Sequence, residues 1–131
     1  SMHERKTKMN ELCDGVIALP GGYGTLDELF EMLTWSQLGL HQKPIALLNV
    51  NSFFDPLLGM IQTMTDESFL KEVYRDMVLC DSEISALLKK MQEYKAPHTT
   101  KWLPEGQQYV YSEKKSILNT EVPSECVCLD I

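Results

Sequence analysis

A chain of 131 residues, 44% hydrophobic, is long enough to bury one core, which predicts a single domain with tails. Its formal charge of −7 excludes a surface built to hold a nucleic-acid backbone, because that work needs clustered Lys and Arg on one face. The longest apolar stretch, 16–19, is far short of the roughly 20 residues of a bilayer span, and no charged-then-apolar leader opens the chain, so a soluble, cytoplasmic protein is expected.

From the N-terminal end, residues 3–13 set Met9 and Leu12 at helical spacing among charged residues, with Arg5 and Lys6 near the start of a short amphipathic helix. Residues 15–19 form an apolar run closed by Pro20, Gly21 and Gly22, which predicts a strand buried on both faces of a parallel sheet. Over 25–37, Leu26, Leu29, Phe30 and Leu33 repeat with helical period, Leu38 follows, and Gly39 serves as a stop. A second buried strand is expected over 44–50, a helix over 53–64 and a short strand over 77–79. Residues 81–94 read as a helix capped by Asp81 or Ser82, with Leu87, Leu88 and Met91 inward. Met32, Met60 and Met64 are expected to pack in the core, and Trp35 there or at a subunit interface. Strand alternating with helix predicts an α/β fold around a parallel sheet. Beyond Lys95, prolines and polar residues break the periodicity, so 95–131 is expected to be a mostly extended tail. Cys13, Cys80, Cys126 and Cys128 lack the paired spacing of a metal site, and free thiols with no bound metal are expected.

Pro20-Gly21-Gly22-Tyr23-Gly24-Thr25 joins a predicted strand to a predicted helix, where unpaired N–H groups and the helix dipole favour an anion. No Lys follows the last glycine as a P-loop needs, and the spacing is not G-x-G-x-x-G, so a phosphate cradle and a plain connection both remain open on these residues. Thr25 and Glu28 also fit a capping box, in which Glu28 would reach back to the Thr25 backbone. Arg5, beside Glu4, reads on these residues alone as a solvated helix charge.

Pro20, Gly21, Gly22, Gly24, Thr25 and Glu28 match the pattern P-G-G-x-G-T-x-x-E, and residues 2–6, 34–39 and 43–44 supply M-x-x-R-K, T-W-x-Q-L-G and K-P segments in order. In these linked motifs, over roughly residues 2–80, the chain resembles the Lonely Guy family of cytokinin-activating phosphoribohydrolases, once labelled lysine decarboxylases. The resemblance implies a Rossmann-like domain that hydrolyses the N-glycosidic bond of an N6-modified adenosine 5'-monophosphate to free base and ribose 5-phosphate. By motif position it gives Arg5 and Glu28 the catalytic roles. Lys6, Gly21, Gly22, Tyr23, Gly24, Thr25, Leu26, Asp27 and Thr34 take the substrate contacts. It implies no cofactor and a homodimer or higher oligomer. The family's first strands have no counterpart here, so residues 1–94 are expected to be the C-terminal part of that domain. A noncatalytic nucleotide-binding or oligomerisation module is the competing reading. A decarboxylase would need a Schiff-base lysine and a cofactor pocket that no feature of the sequence supplies.

Overall fold

The computed structural model describes residues 2–97 and 126–129. In chain order these form helix α1 (Met2–Leu12), strand β1 (Gly15–Ala18), helix α2 (Tyr23–Gln37), strand β2 (Ile45–Leu48) and helix α3 (Asp55–Asp66). A short helix α4 (Glu72–Arg75), strand β3 (Val78–Asp81), helix α5 (Ile84–Glu93) and strand β4 (Cys126–Leu129) follow. The sheet has the order β3-β2-β1-β4 and every described pairing is parallel, which is the expected α/β architecture.

The alternation of side chains along the strands divides the core into two layers. Val16, Ala18, Ile45 and Leu47 point to one face, where they meet Leu29 and Met32 of α2 and Phe54 just before α3. Ile17 and Ala46 point to the other, against Leu87 and Met91 of α5. At Gly15 the sheet and α5 pack tightly: a Cβ there would lie 2.9 Å from the Met91 Cε and 3.2–3.3 Å from Pro44 atoms, so a side chain would have to displace the Met91 methyl and crowd Pro44.

Several boundaries differ from those the periodicity predicts, each for a local reason. Helix α2 begins at Tyr23 with Gly22 as its N-cap and no side-chain cap, so Thr25 lies inside the first turn instead of capping it. Asp81 does not cap α5 directly. It is the last residue of β3, and its carboxylate accepts from the Glu83 N–H at 2.9 Å while the helix starts at Ile84. Helix α3 runs later than 53–64 because Asn49 organises its entry: Asn49 Oδ1 accepts from the Phe54 N–H and Asn49 Nδ2 donates to Asp55 Oδ1, both at 2.8 Å. A 3-10 turn over Val50–Ser52, with Asn51 at φ 51°, fills the gap. Met60, expected in the core, is 53% exposed on α3, whereas Met32 is buried. Within the span expected to be extended, Cys126–Leu129 pairs with β1, and the rest of that span beyond residue 97 lies outside the described residues.

Candidate functional site

The order β3-β2-β1-β4 places a topological switch between β1 and β4, and ligands of open parallel sheets bind at the carboxyl ends of strands beside such a switch. The turn from Pro20 to Gly22 leaves the carboxyl end of β1 at that point and feeds the N-terminus of α2. Helix α2 has 15 residues, and its first N–H groups have no intrahelical acceptor, so the turn ends on an anion-favouring pole. Gly22 does not owe its identity to the protein's own packing. Its φ is −102°, and no atom stands within 4 Å of where a Cβ would be. What the missing side chain leaves open is the approach to the backbone. Tyr23 is 95% exposed at the rim of this turn.

Helix α2 buries the stripe Thr25, Glu28, Leu29, Met32 and Ser36. Glu28 is thus carried inward by helical geometry, one turn from the glycines, and is only 7% exposed. Its Oε2 is buried without a hydrogen-bond partner, which contradicts a capping-box role in which the carboxylate is spent on the helix's own backbone. Glu28 lines a cavity of about 20 Å³ between α1 and α2. Lys6, Asn10 and Glu31 add polar groups, while Met9, Cys13, Val16, Met32 and Trp35 make the apolar walls. The space suits one water-sized group, not a nucleotide.

Lys6 ties the two helices together. Its Nζ lies 2.6 Å from Asp27 Oδ2 and 2.9 Å from Glu31 Oε2, residues one helical turn apart on α2. Hydrogen bonds from these carboxylates, Asp27 first and then Glu31, hold the ammonium protonated well above the ordinary lysine range. Glu28, next to Asp27 but rotated about 100° around the helix, faces inward and takes no part in this clasp.

The structure therefore brings Lys6 to Asp27 and to the Glu28 cavity in the first half of α2, with Thr25 fully buried and Leu26 packed against the core. Arg5 is not part of the cavity lining. It is exposed on α1 and forms no hydrogen bond or ion pair with Glu28. Thr34 stands elsewhere: its hydroxyl donates to the Phe30 carbonyl at 2.7 Å, and it lines a separate cavity of about 190 Å³ with Ile61, Met64 and Tyr74.

Two polar residues that the motifs do not single out belong to the site's surroundings. Asn10 is on α1 four residues after Lys6 and three before Cys13, the same helical stripe, and its Oδ1 is buried and unpartnered. His41 is 1% exposed and braces α2 from behind. Its Nε2–H donates to the Met32 carbonyl at 2.9 Å, and its Nδ1 accepts from the Lys43 N–H at 3.1 Å, which fixes the neutral tautomer. Burial lowers its pKa to about 4. Among the described residues no group of three or more His, Cys, Asp or Glu side chains is placed to hold a metal ion, and no helix is long and apolar enough to cross a membrane.

The chain belongs to the family described as "Possible lysine decarboxylase", whose model matches residues 1–91. It is 48% identical over 97 residues to the probable cytokinin riboside 5'-monophosphate phosphoribohydrolase LOGL1 of Oryza sativa subsp. japonica, a match covering 74% of this chain and 44% of that protein. Cytokinin riboside 5'-monophosphate phosphoribohydrolase LOG of the same plant is 48% identical over 93 residues, 71% of this chain and 38% of that protein. The corresponding LOG2 of Arabidopsis thaliana is 46% identical over 98 residues, covering 75% and 46%. The chain spans less than half the length of each of these curated relatives.

Proposed function

We propose that this chain carries catalytic residues of a phosphoribohydrolase that releases a free base and ribose 5-phosphate from an N6-modified adenosine 5'-monophosphate. The observation that carries the reading is Glu28: a buried carboxylate with an uncommitted oxygen, one helical turn into α2 from an open glycine-rich turn. Relatives at 46–48% identity are named for this reaction on cytokinin riboside 5'-monophosphates.

In the proposed reaction the bond from ribose C1' to the base nitrogen breaks, water supplies the oxygen that bonds to C1', and a proton ends on the departing base. Glu28 stabilises the cationic character that builds at C1' and orients the water. The first turn of α2 and Lys6 receive the 5'-phosphate, through backbone N–H groups and a fixed positive charge. Arg5 grips phosphate or ribose oxygens with its two-pronged guanidinium from the exposed surface of α1. A homodimer is part of the proposal, since Leu38 remains 37% exposed at the end of α2. Light scattering at micromolar concentration tests it, and a monomer refutes it.

Incubation with AMP and with isopentenyladenosine monophosphate, followed by chromatography of the products, tests the activity. Free base together with ribose 5-phosphate is expected. A protein that binds either nucleotide but releases no base is instead a noncatalytic nucleotide module, a reading that draws on the absence of Arg5 from the Glu28 cavity lining.

A further inference from the structure

Two acceptor oxygens on different helices converge on one small space. Asn10 Oδ1 of α1 and Glu28 Oε2 of α2 are both buried without a hydrogen-bond partner, and both residues line the cavity of about 20 Å³. We propose that this cavity is a binding site for a single water molecule that donates one hydrogen to Asn10 Oδ1 and the other to Glu28 Oε2, which makes Asn10 a positioning residue for the Glu28 carboxylate.

Stoichiometry, volume and charge agree on this ligand. One water needs about 10–15 Å³ and two or more polar partners, and the cavity offers room for one and not for two. A water carries two hydrogens, and the two orphaned oxygens are both acceptors, so one molecule satisfies both where an anion would satisfy neither. Lys6 lines the same cavity and has three N–H donors, of which Asp27 and Glu31 engage two. The third is available to the water's oxygen. Glu31 also lines the cavity but its Oε2 is held by Lys6, and the other walls are apolar, with Met9, Met32 and Trp35 among them. Asn10 then acts on Glu28 through the water: it holds the carboxylate in one orientation without withdrawing its second oxygen by a direct bond. That consequence for turnover rests on the hydrolase reading, whereas the water site itself does not.

A high-resolution crystal structure of the full chain is expected to show one ordered water within about 3 Å of both oxygens. A dry cavity, or an Asn10 amide turned to donate directly to Glu28, overturns the proposal. The matched variant is Asn10→Leu, which keeps the bulk and removes the acceptor. The variant loses one hydrogen bond to the water and gains apolar contact, so stability should change by no more than about 1 kcal/mol. Turnover should nevertheless fall about tenfold with KM unchanged, the scale of one lost hydrogen bond. Wild-type kcat in Asn10→Leu refutes the positioning role, and so does a kcat loss that merely tracks a lower melting temperature. Absence of base release by the wild-type protein would refute the hydrolase reading alone, because the electron density decides the water site independently.

Discussion

Acidification should weaken this fold through His41 before it protonates most carboxylates. The ring is 1% exposed and uses both nitrogens, donating to the Met32 carbonyl and accepting from the Lys43 N–H. A proton on Nδ1 would set N–H against N–H and put a cation beside Lys43 in a desolvated place. The folded pKa of about 4 lies below the ordinary imidazole value of 6.5, so the unfolded chain binds the proton more readily. The stability due to neutral His41 is therefore fully present above 6.5 and is lost progressively as pH falls from 6.5 towards about 4. Between pH 7 and pH 5 the loss is about 2 kcal/mol, a visible part of the ~5–15 kcal/mol that a domain has. Urea unfolding followed by circular dichroism at both pH values measures it, with His41→Gln as the control because an amide can donate and accept without titrating. The wild type should lose about 2 kcal/mol more than the variant over this range. Equal losses in the two proteins, or a His41 resonance that titrates near 6.5 in the folded state, would refute the reasoning.

Glu28→Gln should lower turnover by on the order of 100-fold with little change in melting temperature, since the amide keeps the side chain's shape and one acceptor oxygen. Full turnover in that variant would remove Glu28 from the chemistry. Gly22→Ala should leave stability within about 0.5 kcal/mol, because nothing surrounds the new Cβ, and should raise KM for the nucleotide about tenfold by covering the backbone. An unchanged KM would mean that the phosphate does not approach this turn. Lys6→Met should also raise KM about tenfold, with a salt dependence weaker than the wild type's. A wild-type KM would confine Lys6 to its clasp on Asp27 and Glu31.

The parts of the fold legible in the sequence are those where burial and local period coincide. Strands β1 and β2 are buried on both faces and read as unbroken apolar runs, and α2 and α5 carry inward stripes at helical spacing. Strand β3 extends past its apolar start to Asp81 because Leu48 pairs with Asp81 at the sheet edge, a tertiary contact that local hydropathy does not encode. The same holds for β4, whose partner β1 is more than 100 residues away in sequence. The helix boundaries were obscured by side chains that serve turns, such as Asn49 and Asp81, instead of the cap positions themselves.

The site was legible unevenly, and the reason lies in α2. Thr25, Asp27, Glu28 and Glu31 occur within seven residues, and in the linear sequence they form an ordinary polar first half of a helix. Folding sorts them by angle. Asp27 and Glu31, four apart, take the outer stripe and share Lys6, whereas Glu28 turns onto the inner stripe with Leu29 and Met32. An unpaired buried polar atom costs about 1–3 kcal/mol, so a helix selected for stability alone would not hold Glu28 Oε2 in that position. The same cost is repeated across the cavity at Asn10 Oδ1, on a helix whose sequence gives no sign of it. Two orphaned acceptors facing one space are better explained by a shared ligand than by two independent packing faults, and chemistry at Glu28 is the use that this ligand would serve.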